Sequence, residues 1–267
     1  MPPAQRYKTA CARTIGRAHQ SAQTPCQDFV ASRQGRDLAC VALADGAGSC
    51  AHSEHGAEAA VRATLRFIST HFERLWTQSQ QDAAAVAQEL TDYCLTALQR
   101  EAKRLHCTLP ELACTLLFVA HQEGRYLAGH LGDGCIARMD EDGHVFPLSH
   151  PDNGEFANTT RFLTDASAAR HFRIFHSHDP KPSGFVLMSD GTAESLYLKA
   201  SRSLASGAIQ KLLAWNVSLP KAKMEAILTS NLEQAFTRKT RDDCSIALLS
   251  NLQAVQADES SPADASH

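Results

Sequence analysis

Three apolar, strand-like runs in this chain each end in an aspartate followed by glycine. CVALADG ends in Asp45-Gly46, YLAGHLGDG in Asp133-Gly134 and FVLMSDG in Asp190-Gly191. A fourth run, CSIALLS, is entered from the pair Asp242-Asp243. One Asp-Gly by itself is most simply a turn, because Asp bonds its own backbone and Gly accepts positive φ. Asp142-Gly143 in MDEDGHV is read that way. The other three follow strongly apolar runs, and Asp45 and Asp190 lead into helix-like sequence instead of a partner strand. If those strand ends converge, the carboxylates repel and raise one another's pKa unless cations sit among them. An all-oxygen site of this kind suits hard divalent ions, Mg²⁺ or Mn²⁺, and a glycine lets a backbone carbonyl come close to an ion. Two such ions about 3.5–4 Å apart can activate a water and clamp a phosphoryl oxygen. The indicated chemistry is phosphoryl hydrolysis without a nucleophilic side chain.

The elements that must carry these aspartates can be read from the hydrophobic period. CQDFVASRQGRDLACVALAD reads as two strands around a turn at Gln34-Gly35. Ala57, Val61, Leu65, Ile68, Phe72 and Leu75 recur at three- and four-residue steps and predict an amphipathic helix with Ser53 as N-cap. A second helix is predicted from about Ala83 to His106, with Val86, Leu90, Tyr93, Ala97 and Leu98 buried. From Ala113 to Leu148 the period falls to two, which predicts a four-stranded meander turning at Gln122-Glu123-Gly124, Asp133-Gly134 and Glu141-Asp142-Gly143. HFRIFHS and GFVLMSD are two more strands, followed by helices at Ser203–Trp215 and Lys221–Phe236. Pro220 suits a first-turn position in the second of these. The last strand is Ser245–Ser250.

Strands in consecutive runs argue for antiparallel sheets, and paired helices for outer layers. The expected class is α+β, a four-layer α-β-β-α sandwich of two antiparallel sheets flanked by helices. One domain over residues 1–252 and a disordered tail over 253–267 are expected. The 267 residues are 43% hydrophobic and 21% charged, with a net charge of −3, so no general attraction to nucleic acid or anionic membrane is implied. The stretch MPPAQRYKTACARTIG has no signal-peptide core. No run approaches the roughly 18 apolar residues of a membrane span. The nine cysteines are odd in number and never spaced C-x-x-C. Reduced thiols and a cytoplasmic location are expected, with Cys40, Cys94 and Cys114 as small core residues.

Taken in order, PCQDF, ALADGAGS, GHLGDG, LMSDG and DDCSIALL resemble the metal-dependent Ser/Thr protein phosphatases of the PP2C type, in particular an atypical bacterial branch with a histidine ahead of P-C-Q-D. The motifs run from His19 to Leu249. The resemblance implies a phosphorylated protein as substrate, a cognate Ser/Thr kinase as counterpart, and two Mg²⁺ or Mn²⁺ ions with a third, weaker site. It implies that Asp45 bridges both ions and the Gly46 carbonyl joins the second. Asp190 and Asp242 would hold the first ion, Asp133 would serve the third, and Asp28 would orient the attacking water. Between Asp242 and Asp243 the family's D-N-x-[ST] favours Asp242, leaving Asp243 as the alternative ligand. Gln27 stands where many members carry Glu, and Gln23 where they carry an arginine that grips phosphate. Arg17 or His19 would take over that grip, or His19 would act as general acid on the leaving oxygen. The segment HPDNGEFANTTRF would be the flap beside the site. Two rival readings are a phosphatase-shaped binding scaffold without turnover and a hydrolase of small phosphate esters.

Other motifs compete weakly. Cys11 to Arg17 is a literal C-x5-R, but it reads as strand and lacks a glycine-rich interior. His52 and His55 form H-x-x-H with no further ligand cluster, and His176 and His178 read as solvated strand-end residues. The DGAGS turn lacks the Lys-Ser/Thr of a nucleotide loop. Arg100, Lys103 and Arg104 read as a wet helix face.

Overall fold

The computed structural model describes residues 6–152, 160–178, 180–181 and 183–252; the tail expected over 253–267 lies outside them. Two five-stranded antiparallel sheets form the centre. Sheet 1 is ordered β1 (Tyr7–Thr14), β12 (Cys244–Asn251), β9 (Ser183–Met188), β6 (Cys135–Met139) and β7 (Val145–Ser149). Sheet 2 is ordered β2 (Phe29–Gln34), β3 (Leu38–Ala44), β4 (Leu116–Gln122), β5 (Arg125–Leu131) and β8 (Arg173–His178). A two-stranded ribbon, β10 (Tyr197–Leu198) with β11 (Ser203–Leu204), stands apart. Helices α2 (Ser53–Ser79) and α3 (Ala83–Leu105) cover sheet 2, and α6 (Ser206–Ser218) and α7 (Lys221–Asn231) cover sheet 1. Three shorter helices are α1 (Arg17–Ala22), α4 (Ala168–His171) and α5 (Asp190–Leu196).

The period of two explains why the layers stack. In β3, Ala39, Val41 and Leu43 face the other sheet, while Cys40, Ala42 and Ala44 face α2 and α3. In β12, Ala247 and Leu249 point between the sheets, and Ile246 and Leu248 point at α6 and α7. Both strands are apolar on both faces, as strands buried in a four-layer fold must be. Each fully buried leucine among them contributes about 2 kcal/mol of transfer free energy. Cys40, Cys94 and Cys114 are buried in the layer between sheet 2 and its helices, and all nine cysteines are free thiols. No helix among the described residues is long and apolar enough to cross a membrane.

The helical stripe from Ala57 to Leu75 is buried as its spacing requires. Ser53, however, is not the cap. His52 occupies that position, and the Ser53 hydroxyl donates to Cys50 O at 3.3 Å. Helix α3 is capped by Asp82, whose carboxylate accepts from Ala85 N at 2.9 Å. Pro220 falls one position earlier than expected, at the N-cap of α7. The segment read as the start of a helix at Ser203 begins instead as β11.

The larger correction concerns the meander. Its four strands exist, but the chain leaves sheet 2 after β5 and enters sheet 1 at β6. Asp133-Gly134 is therefore a crossing between sheets and not a hairpin turn. β5 is already paired on both sides, by β4 and β8, and so has no free edge for β6. Gly132 makes the crossing with φ +114°, where a side chain would collide with Thr115.

Candidate active site

Each sequence-picked aspartate sits where a central strand meets a loop. Asp28 precedes β2, Asp45 follows β3, Asp133 lies between β5 and β6, Asp190 opens α5 directly after β9, and Asp242 precedes β12. The antiparallel registers bring these ends to one edge: Met188 pairs with Cys135 and with Ile246, and Phe29 pairs with Ala44. Asp45, Asp133, Asp190 and Asp242 line one cavity of about 170 Å³ together with Gly46, Thr115, Thr160 and Phe162.

The backbone around Asp45 is held on both sides. Asp45 N donates to Thr115 Oγ1 at 2.9 Å, and Thr115 N donates back to Asp45 O at 2.8 Å. Gly46 N donates to Gln27 O at 3.2 Å. A Cβ at Gly46 would stand 2.8 Å from the Ser53 side chain and 2.9 Å from Gln27 O, so only glycine fits between the β2 approach and α2. At the far side of the cavity Thr160 donates to Asp133 Oδ2 at 2.5 Å.

The electrostatics are unfavourable without a cation. Burial holds Asp45 well above the ordinary carboxylate range, and Asp28, Asp190, Asp133 and Asp242 push it further up. Burial, reinforced by Asp133 and Asp242, raises Asp190 to about 6. Asp28 is fully buried and is pushed to about 7 by burial, with Asp243 and Asp190 adding to it. Asp133 is raised by burial too, against the pull of the Thr160 hydroxyl and, more weakly, of Lys199. Asp45, Asp190, Asp28 and Asp133 are all held above the ordinary carboxylate range, and the cavity offers oxygen donors, Gly46 among its lining, with no arginine or lysine among the described residues that line it, a donor set suited to a cation. Mg²⁺ or Mn²⁺ fits this donor set.

Asp243 is placed differently from the ligand alternative. Its two oxygens accept from Gly16 N and Gln27 N, each at 2.6 Å, and the second also lies 2.9 Å from His19 Nδ1. It does not line the cavity; of the adjacent pair, Asp242 does. Buried backbone donors claim Asp243, and it ties the segment before β2 to the β12 entry. His19, on α1, is engaged by Asp243 and also stands outside the cavity lining. Arg17 does not reach the cavity either: its guanidinium donates to Thr240 O at 2.9 Å and to Arg238 O at 3.4 Å. Gln23 is the left-handed residue that ends α1, φ 55°. Arg13 approaches from β1, where it donates to Asp28 O and stacks 4.9 Å from the Phe29 ring centroid. The flap expected over 150–162 is described only at its ends, since 153–159 lie outside the described residues. At those ends Asp152 N donates to Gly132 O at 3.1 Å, and Thr160 and Phe162 reach the cavity.

Thr115 escaped the sequence reading, since a threonine on a strand carries no signal of its own. The competing motifs stay apart from the cavity. Cys11 pairs with Ala247 within sheet 1, and burial pushes its thiol up to about 12. His52 and His55 lie with ring centroids 6.3 Å apart, and His55 leans on Glu54 and Glu101 at 3.6 and 3.9 Å. His176 stands edge-on to Trp76.

Comparison with known proteins agrees with this geometry. A relative from Escherichia coli (strain K12), serine/threonine-protein phosphatase 3, is 31% identical over 176 residues, 64% of this chain and 68% of that protein. The catalytic domain of the serine threonine protein phosphatase PstP, solved in complex with two manganese ions, superposes with a TM-score of 0.58 at 18% identity, covering 92% of this chain and 97% of that one. PppA, described as a regulatory component of T6SS in Pseudomonas aeruginosa, superposes with a TM-score of 0.59 at 17% identity over 91% and 96% of the two chains. At such identities the two superpositions speak for the fold. The sequence profile of the family described as Protein phosphatase 2C matches residues 15–242, and with the carboxylates meeting at one rim of the matching fold, this chain belongs to the protein phosphatase 2C family.

Proposed function

We infer that this chain is a metal-dependent protein serine/threonine phosphatase that hydrolyses phosphoserine and phosphothreonine. The observation that carries the reading is the convergence of Asp45, Asp133, Asp190 and Asp242, from four separate strand ends, on one cavity that no cationic side chain among the described residues lines. Buried carboxylates are costly to keep together, and a fold relieved of catalysis has no use for them. That argues against a scaffold without turnover.

Mg²⁺ or Mn²⁺ bound there would neutralise these carboxylates, polarise the phosphoryl oxygens and make a water nucleophilic near neutral pH. We assign Asp45 to both ions, Asp190 and Asp242 to the first, the Gly46 carbonyl to the second, and Asp133 to a third. Thr115 fixes the Asp45 backbone and Thr160 fixes the Asp133 carboxylate, so neither ligand need reorganise when charge develops. Asp28, fully buried beside Asp190, is assigned the orientation of the attacking water. His19 acts as a positioning residue through Asp243 rather than on the substrate. The counterpart enzyme would be a Ser/Thr kinase, residues 1–252 would form the phosphatase domain, and the nine free thiols suit a cytoplasmic location.

The test is release of phosphate from a phosphopeptide after EDTA treatment, with Mn²⁺ or Mg²⁺ added back. Restored turnover in the native chain and none in Asp45→Asn is the expected result. Turnover that persists in EDTA would remove the reading.

A further inference from the structure

The rim that carries the carboxylates continues past them. β9, β6 and β7 are neighbours in sheet 1, and the registers Met188–Cys135 and Ile136–Ser149 put the end of β7 at the same edge as the end of β9. Two strand spacings amount to about 10 Å along that edge. The β10–β11 ribbon occupies this stretch. It begins directly after α5, the two-turn helix that Asp190 opens. It is fastened to the end of β7 by Tyr197, whose hydroxyl lies 2.8 Å from His150 Nδ1. The anchor is itself held, since Arg173 from β8 donates to His150 O at 2.7 Å.

The tip of the ribbon faces solvent. Residues 198–202, Leu-Lys-Ala-Ser-Arg, are all exposed, Leu198 to 59%. Leu198 is one of only three large hydrophobic side chains exposed among the described residues. The tip is closed by Ser201 and Ser203, hydroxyl oxygens 2.6 Å apart, with Arg202 at φ 51°. Lys199 and Arg202 form no ion pair among the described residues. Lys199 is near enough to act on Asp133, and Arg202 near enough to act on His150. The ribbon tip thus presents two cations that make no ion pair among the described residues, together with one exposed leucine, beside the carboxylate rim.

We propose that the ribbon tip, through Lys199, Arg202 and Leu198, docks the protein substrate by engaging an acidic residue about three positions from the phosphorylated side chain. The spacing follows from an extended peptide, which advances about 3.3 Å per residue and so spans the 10 Å of rim in about three steps. Opposite charge selects the acidic residue, and Leu198 supplies apolar contact to the chain beside it. The inference rests on the phosphatase reading above and adds a substrate class to it.

The test compares three substrates in the presence of Mn²⁺: a phosphoserine peptide with glutamates three positions to either side, the same peptide with alanines there, and p-nitrophenyl phosphate. The native chain should favour the acidic peptide, and salt should erode that advantage. Lys199→Ala/Arg202→Ala should lower kcat/KM for the acidic peptide roughly fivefold through KM, as expected for two exposed charge contacts. The neutral peptide and p-nitrophenyl phosphate should stay within about twofold, with unchanged thermal unfolding. Lys199→Glu/Arg202→Glu should make the alanine peptide the better substrate of the two peptides. Equal rates of the native chain on both peptides, or an equal loss on p-nitrophenyl phosphate in the double variant, would overturn the docking role and leave the phosphatase reading standing. A native chain that hydrolyses none of the three overturns both.

Discussion

Asp140, Asp142 and His144 in the β6–β7 turn and Asp45, Asp133, Asp190 and Asp242 at the strand ends are both acidic groups beside glycines, yet their electrostatics run in opposite directions. In the turn, single ligand atoms of the three residues lie within 4.8 Å of one another. No three of the strand-end residues meet that measure among the described residues. But Asp140 is already satisfied: its Oδ1 accepts from Asp142 N at 3.1 Å and His144 N at 2.8 Å, and these bonds hold its carboxyl below the ordinary range against its desolvation. Of the strand-end carboxyls, Asp45, Asp133 and Asp190 are all raised, by burial first and by their acidic neighbours after it. Closeness alone does not mark a metal centre. What marks it is charge that the protein itself leaves uncompensated.

Four experiments would break or sharpen that contrast. The largest effect is expected at Asp45. Asp45→Asn should cut metal-dependent hydrolysis by more than about a hundredfold, beyond the usual loss for an outer-sphere change at a metal site. In EDTA the same variant should melt higher than the native chain, because a buried carboxylate with four acidic neighbours has been neutralised. A lower melting temperature would contradict the electrostatic account.

Asp243→Ala comes next, and its effect should be on stability. Removing the acceptor strands Gly16 N and Gln27 N, and the cost should be about 3 kcal/mol in denaturant unfolding. Its neighbour separates the roles: Asp242→Ala should abolish turnover while unfolding stays close to native. If the two variants behaved alike, the division of labour between the adjacent aspartates would be wrong.

The third experiment is a pH series on the metal-free protein. Asp28 at about 7 and Asp190 at about 6 both stand above the unfolded value of 3.8. The native state therefore binds more protons than the unfolded state between those limits, and stability must fall as pH rises from 3.8 towards 7. Saturating Mn²⁺ should flatten that slope. Melting temperatures read with EDTA and with Mn²⁺ decide it, and a flat profile in EDTA would refute the burial argument. The smallest effect is expected in the turn, where Asp140→Ala should leave turnover within about twofold.

The aspartates themselves were legible because each interrupts a hydrophobic run at a place where packing gives no reason for charge. The layers were legible for the same reason: residues 38–44 and 246–249 are apolar at every step, which a sheet open to water on one face would not allow. The pair Asp242-Asp243 was legible only to within one residue. Neighbouring side chains in extended chain point to opposite sides, so one of the two must turn away, and which one depends on the donors waiting there. Those donors are backbone N–H groups of residues 16 and 27, far off in sequence. Arg17 misled for a related reason, since its partners are the carbonyls of Thr240 and Arg238, which no residue pattern announces. The switch between sheets at Gly132 was hidden because a hairpin and a crossing use the same turn residues, and only the occupancy of both edges of β5 decides between them.

β12 occupies the slot between β1 and β9, with Tyr7 facing Asn251 across the first ladder and Met188 facing Ile246 across the second. Synthesis on the ribosome delivers that strand long after its two neighbours. Until it arrives, β1 and β9 have nothing to join them, Asp242 has no fixed position, and the outer helices have only half a floor to rest on. A nascent chain halted before residue 244 would hold all of the assigned ligands and none of their geometry, so the capacity to strip phosphate from other proteins would switch on only as the final ladder zips.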